Sequence, residues 1–330
     1  MKQLCALLLL SLAVLLAGTA FTADPPPPAA VTLGQQLFFD PLLSGDRTIS
    51  CASCHKEQFA FADTATLSAG VAGRHGARNT PSAMNVRLQS AFFWDGRAAT
   101  LEEQALMPIA NPLEMDLPVA EAVARLNQSA TYQAAFQRAF GQAPSARTLA
   151  KALAEFERSL ETSESPFDDW RLSDNEAAVS ASAKRGFALF NDKAGCMRCH
   201  IGADFNNAEF RNIGLYDGRA LADSGRAAIT RQASDLGKFK IGPLRNIALT
   251  APYMHNGVFR TLRQVIDFYN EPDKFVPHAL NRDPFMARPL GLTEQEKTDL
   301  ESFLRSLTDK RFIAAQSPRA NRAKPSFIAR

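Results

Sequence analysis

Two five-residue words, Cys51-Ala52-Ser53-Cys54-His55 and Cys196-Met197-Arg198-Cys199-His200, constrain this chain more than anything else in it. In Cys-x-x-Cys-His the two thiols form thioethers with porphyrin vinyl groups and the His binds iron from the proximal side. The chain has five Cys and five His in 330 residues, so chance would supply one such word in roughly one chain in a thousand, and two far more rarely. A zinc or redox Cys-x-x-Cys fits less well. Zinc needs further ligands, and apart from the two words the only Cys is Cys5. The chain reads as the carrier of two covalently bound haem c groups.

The first 23 residues have one Lys, an apolar run from Leu4 to Ala17 and then Gly18-Thr19-Ala20. That is the pattern of a secretory signal peptide (1–23). The run is shorter than the ~20 residues of a spanning helix, so cleavage is expected, with no stable membrane insertion afterwards. Cys5 leaves with the signal. The other four Cys are then committed to haem, which is attached on the oxidising side of a membrane, and the expected location is the periplasm. A Pro-rich tether (24–32) follows, and a polar tail (313–330) closes the chain. The formal net charge of +3 includes Lys2 and no basic block stands out, so nucleic acid is not an expected partner.

Gly34-Gln35-Gln36-Leu37-Phe38-Phe39-Asp40 and Gly186-Phe187-Ala188-Leu189-Phe190-Asn191-Asp192 share the pattern Gly-x-x-Leu-Phe-x-Asp ahead of the two haem words. Each predicts a helix whose apolar stripe packs beside a haem. Amphipathic periodicity also predicts helices over Val119–Phe140 and Ser145–Leu160, and Thr293 with Glu296 forms a capping box opening a last helix to Leu307. Strand-like alternation is nearly absent. The expected fold is mostly α, with two cytochrome c-like haem domains in tandem (33–165 and 166–312) and few or no strands.

Further words are more specific: Leu-Phe-x-Asp-Pro-x-Leu-Ser from Leu37, Arg-Asn-x-Pro-Ser from Arg78, Phe93-Trp94-Asp95-Gly96-Arg97, Glu103-Gln104-Ala105, Asn111-Pro112-Leu113-Glu114-Met115, and the run Leu244 to Gly257. With these the chain resembles the bacterial dihaem cytochrome c peroxidase family, including its MauG branch, from about Leu33 to Thr308. The resemblance implies that Glu114 is the acid/base beside a peroxide site on the His55 haem, that Gln104 positions peroxide or water, and that Trp94 relays electrons between the haems. Without it, Glu114 reads as a solvated loop residue, Gln104 as a helix-surface residue and Trp94 as core. It also implies an interhaem calcium ion held by the Asn79 side chain and the carbonyls of Thr250 and Pro252, a carboxylate-poor set that calcium tolerates. Hydrogen peroxide and a small c-type cytochrome or cupredoxin are the implied partners, and homodimers are common in the family.

Two ligands are left open by the residues themselves. His75 lies in a Gly-rich loop (Ser68 to Gly76) where some of these peroxidases place a His that caps the first iron at rest, although it comes several residues late; otherwise it is a loop His. His200 needs a partner from Met254, His255, Tyr269, His278 or Met286. By the resemblance Tyr269 falls where ordinary dihaem peroxidases have Met and the MauG branch has Tyr. An oxygen donor there favours higher-valent iron and a lower potential. The surface Trp through which MauG oxidises its protein substrate corresponds here to Ala194, with Tyr216 or Tyr253 as substitutes. The expectation is a peroxidase, with a MauG-like oxidase of a partner protein or small organic substrate second. A plain dihaem electron carrier is third, because Glu114 and Gln104 would have no use in one.

Overall fold

The computed structural model describes residues 28–315; the expected signal segment and the tail beyond Ala315 lie outside the described residues. Helices dominate. In the first half they are α1 (Ala29–Phe39), α2 (Cys51–Cys54), α3 (Leu101–Ala110), α4 (Val119–Asn127), α5 (Ala130–Phe140) and α6 (Ala146–Arg158). The second half has α7 (Pro166–Leu172), α8 (Ala181–Asn191), α9 (Ala227–Thr230), α10 (Leu262–Asn270), α11 (Pro272–Phe275), α12 (Glu294–Ser306) and α13 (Lys310–Ala315). The only sheet among the described residues pairs β1 (Phe210–Arg211) with β2 (Phe239–Lys240), antiparallel. Helix α1 starts inside the stretch expected to be tether, and α13 runs past Phe312, where the tail was expected to begin.

Each half is organised by a close helix crossing, α1 on α6 and α8 on α12. The repeated Gly makes both crossings. A Cβ on Gly34 would lie 1.9 Å from the Ala152 carbonyl oxygen, and one on Gly186 would lie 1.9 Å from that of Asp299. Only a residue without a side chain lets the backbones approach so closely. The Leu-Phe pair of each repeat turns inward: Phe38 has its ring 6.2 Å from that of His55, and Phe190 packs 5.0 Å from Phe303. Separate cores result, one around Leu37, Phe38, Phe136 and Phe156, the other around Phe190, Phe205, Phe268 and Phe303.

The single helix expected over Val119–Phe140 is two. Helix α4 ends at Asn127, whose Nδ2 bonds back to the Val123 carbonyl, and Ser129 starts α5 by accepting from the Tyr132 amide. Short polar side chains compete with the helical backbone and break the run despite its apolar period. The capping box at Thr293 forms as expected: Glu296 N–H donates to Thr293 Oγ1 and Thr293 N–H to Glu296 Oε2.

The halves are joined by a buried polar seam. Asn85 and Asn246 both adopt left-handed backbone, φ 54° and 60°. Asn85 Nδ2 donates to Asp204 of the other half, and the Asn85 side-chain oxygen accepts the Thr162 amide. Thr162 in turn donates its hydroxyl to Asp309 and accepts from Asn246 Nδ2.

Candidate active site

Both haem words sit on one-turn segments, each followed by a bend that turns its His back toward a carbonyl. His55 Nδ1 is 2.9 Å from the Phe61 oxygen, and His200 Nδ1 is 3.0 Å from that of Phe205. With Nδ1–H donating, Nε2 is left with its lone pair as the metal-facing atom. Burial lowers both pKa values, keeping the rings neutral as ligation requires. Burial also pushes the Cys196 thiol up to about 12 and the Cys51 thiol higher still. A thioether carries no such charge penalty. These observations fit covalent haem at both words.

Beside His200 lies an apolar cavity of about 230 Å³. Its walls include Cys196, Phe190, Ala194, Tyr253, Ile266 and Tyr269, and also Trp94, Asn79, Thr250 and Pro252. The structure therefore brings together the expected second-haem, relay and calcium residues around one space. Of the five candidate partners for His200, only Met254 and Tyr269 reach this wall. His278 is exposed, and His255 is buried behind the wall, its ring stacked 3.6 Å from that of the wall residue Phe239. Burial raises the Tyr269 phenol above its ordinary range.

Trp94 Nε1–H donates to the Asn79 carbonyl at 2.8 Å. Asn79 spends its Nδ2 on the carbonyls of Ala65 and Thr66, which leaves its side-chain oxygen for another partner. The carbonyls of Thr250 and Pro252 accept no hydrogen bond among the described residues. Three uncommitted oxygens fit a calcium ion, and no cluster of three or more acidic, His or Cys side chains among the described residues offers a rival metal site.

Glu114 and Gln104 belong to the other half. Gln104 projects from α3, and its buried Oε1 has no hydrogen-bond partner. Helix α3 ends at Asn111, whose Nδ2 donates to Glu114 Oε1 at 2.8 Å. Burial raises the Glu114 pKa, opposed by that hydrogen bond and by Arg97. Neither Asn111 nor Arg97 was singled out from the sequence for this duty, although both lie in the words around Glu114 and Trp94. The Gly-rich loop is anchored here by Val71 N–H to the Glu114 carbonyl at 2.8 Å. Gly70 packs so closely that a Cβ would sit 2.2 Å from the Leu113 oxygen. That glycine serves close packing as much as freedom. His75 is exposed, with Nδ1 toward the carbonyls of Leu67 and Ser68 in its own loop. Trp170, remote in sequence from the second haem word, packs its ring 5.7 Å from Phe187 of α8, the helix leading into that word.

The walls of the two halves correspond residue for residue. Asn85 N–H bonds the Leu160 carbonyl as Asn246 N–H bonds that of Leu307. Bridges Phe92–Ala98 and Tyr253–Phe259 close loops of equal length, and Thr100 and Thr261 then cap α3 and α10. Nothing is inserted or deleted between these landmarks. Trp94 corresponds to His255, Gln104 to Val265, and Pro108 to Tyr269.

A family model described as "Di-haem cytochrome c peroxidase" matches residues 28–177. Methylamine utilization protein MauG of Methylorubrum extorquens is 40% identical over 287 residues, 86% of this chain and 80% of that one. The chain belongs to the di-haem cytochrome c peroxidase family. Cytochrome c551 peroxidase of Pseudomonas aeruginosa is 38% identical over 71% of this chain and 69% of its own. A crystal structure of a MauG-like protein associated with microbial copper homeostasis superposes with a TM-score of 0.80 at 35% identity, over 90% of this chain and 93% of that one. Membership makes this an oxidoreductase carrying two haem c groups, with relatives named both as peroxidases and as MauG.

Proposed function

We propose that this dihaem protein is a periplasmic peroxidase that reduces hydrogen peroxide to water at the His55 haem, with electrons from a small c-type cytochrome or cupredoxin. The observation that carries the reading is the contrast between Pro108 and Tyr269. At the position where the second half offers a phenol to its cavity, the first half has a residue that cannot bind iron. One turn earlier, Gln104 with its unpartnered oxygen replaces the apolar Val265.

Cys51, Cys54 and His55 would hold one haem c, whose iron would supply the peroxide site, and Cys196, Cys199, His200 and Tyr269 would hold a second, which would supply the entry point for electrons. The protein's own task is the proton. Asn111 fixes Glu114 Oε1, leaving Oε2 to take the proton from the nearer peroxide oxygen and return it to the farther one, so that water can leave. Partial burial brings Glu114 toward the pKa such a shuttle needs, and Arg97 keeps the carboxylate accessible. Gln104 Oε1 accepts a hydrogen bond from peroxide or water. Trp94, between the second-haem cavity and the Asn79 loop, is the relay. A calcium ion, when bound, would be held by Asn79 Oδ1 and the carbonyls of Thr250 and Pro252 and would tie together the loop segments that carry them. Exposed Met197 within the second haem word and Ile201 directly after it are where a donor docks.

Glu114→Gln tests this. Peroxide turnover is expected to fall about 10²–10⁴-fold, with the spectrum of the reduced haems unchanged; unaltered turnover would remove Glu114 as the acid/base, and no peroxide turnover in wild type would leave a plain electron carrier. Tyr269 on the cavity wall favours a second reading, a MauG-like oxidase acting on a partner protein or small organic substrate. Stopped-flow mixing of peroxide with the fully ferric protein separates the two. Reaction without prior reduction supports the oxidase. A requirement for one added electron supports an ordinary peroxidase with a capped first haem.

A further inference from the structure

The halves share a word beyond those already described: Phe156-Glu157-Arg158-Ser159-Leu160 in and after α6, Phe303-Leu304-Arg305-Ser306-Leu307 in and after α12. Packing fixes the register. The Cβ that Gly34 lacks would meet Ala152 O and Phe156 Cβ, and the one that Gly186 lacks would meet Asp299 O and Phe303 Cβ. The Leu160 and Leu307 carbonyls accept from Asn85 and Asn246. In that register Glu157 stands where the second half has Leu304, and Leu304 is part of the wall of the second-haem cavity. Glu157 thus occupies the same wall position in the first half.

Glu157 is 8% exposed, and what acts on its carboxyl is burial, the Arg158 guanidinium and the Glu102 carboxylate, with no hydrogen bond among these causes. The charges that face it are few. On its own helix, Arg158 is committed to Glu102 at 2.7 Å and Glu155 at 3.1 Å; from α3 comes Glu102, a like charge; from α2 comes Cys51, whose thiol Glu157 raises in turn. Helix α1 contributes Phe38 to the same core and no ionisable side chain to this contact. Burial, opposed by Arg158 and reinforced by Glu102, lifts the Glu157 carboxyl to about 8. A buried carboxyl at the edge of a redox cofactor responds to every change in that cofactor's charge.

We propose that Glu157 is the proton site of the first haem, taking up a proton when that haem gains an electron and releasing it when the haem is oxidised. The balance is simple. One electron from the donor and one proton from water convert ferric haem and a carboxylate into ferrous haem and a carboxylic acid, and only the carboxyl O–H bond is made. Reduction of peroxide to two waters consumes protons as well as electrons, and a site that loads the two together keeps the pocket close to neutral. The inference rests on haem attachment at Cys51 and Cys54, and it holds for either the peroxidase or the MauG-like reading.

The test is spectroelectrochemical titration of both haems in the diferric-to-diferrous holoprotein across pH values around 8, in wild type, Glu157→Gln and Glu157→Leu; the last installs the residue of the other half. The midpoint of the first haem is expected to fall as pH rises in wild type and to be flat in that window in both variants. The second haem, walled by Leu304, keeps whatever slope it has in all three. Infrared difference spectra of the reduced protein should show a protonated-carboxyl band that Glu157→Gln removes. A slope that survives in either folded variant, or a carboxyl band untouched by Glu157→Gln, overturns the proposal. These readouts are independent of turnover, so a wild type that fails to reduce peroxide would remove the peroxidase reading and leave this one standing.

Discussion

The two halves of the chain use one scaffold to build two different walls. Each crosses an N-terminal helix with a C-terminal one through a glycine, turns its haem-word His onto a carbonyl, and seats a left-handed Asn against the end of the last helix. They diverge at single positions facing the haem pockets. The second half presents Tyr269, Val265 and Leu304; the first presents Pro108, Gln104 and Glu157 at the equivalent places. The lesson is one of economy. On the proposed reading, Tyr269 set among Val265, Ile266 and Leu304 suits a haem that passes electrons. On the same reading, Pro108 in place of that phenol, together with Gln104 and Glu157, suits a pocket that takes a small polar oxidant and the protons its reduction consumes.

The comparison breaks first at the crossings if it breaks at all. Gly34→Ala and Gly186→Ala should each cost about 3 kcal/mol or more, because the added Cβ meets backbone oxygen and no flexible side chain can yield. Helix propensity alone argues the opposite sign, favouring Ala by about 1 kcal/mol. Equal losses of thermal midpoint in the two variants would show equivalent crossings, and a stabilised variant in either half would deny it.

Next in size is an ion pair that only the second half has. Arg245 forks onto Asp168 with both bonds at 2.8 Å, and its counterpart in the first half is the buried Met84. Arg245→Met therefore makes the second half resemble the first, but strands a buried carboxylate, at a cost of about 3 kcal/mol near neutral pH. Burial alone would raise the Asp168 carboxyl; the hydrogen bonds from Arg245 and Ser165 outweigh it and hold the pKa low. A depressed carboxyl contributes stability above its unfolded value, about 3.9, and loses it as pH falls through the folded value. The gap in urea midpoint between wild type and variant should thus be full at neutral pH and shrink below about pH 4. A gap independent of pH would show that packing, and not charge, carries the pair.

The smallest effect is a matched control. Thr100 and Thr261 cap equivalent helices by accepting from Glu103 N–H and Gln264 N–H. Thr→Ala at each should cost about 1 kcal/mol, measured as paired shifts in chemical denaturation. Unequal losses would locate a difference in the scaffold itself, outside the walls.

What could be read from the sequence was whatever is carried by local spacing. The haem words, the glycine repeat, the capping box at Thr293 and the predominance of helix all depend on residues a few positions apart. The break between α4 and α5 is not legible because the apolar period continues across Gln128 and Ser129, while the Ser129 amide leaves the helical pattern and bonds the Leu126 carbonyl three residues back. The choice among five partners for His200 narrowed only when the fold showed which side chains share a wall, which spacing cannot express. Glu157 was passed over for a related reason. Beside Arg158 on an amphipathic helix it looks like half of a solvated pair, whereas Arg158 turns away to Glu102 and leaves it inside.

The seam at Thr162 makes the two halves interdependent. Its hydroxyl donates to Asp309 and accepts from Asn246, while its amide serves Asn85, so neither half keeps a complete set of hydrogen bonds once the other is gone. Each buried group left without a partner costs about 1–3 kcal/mol, and a marginally stable domain does not survive several such losses. Deleting either half would strand these groups, so the two haem-word halves are expected to stand or fall together.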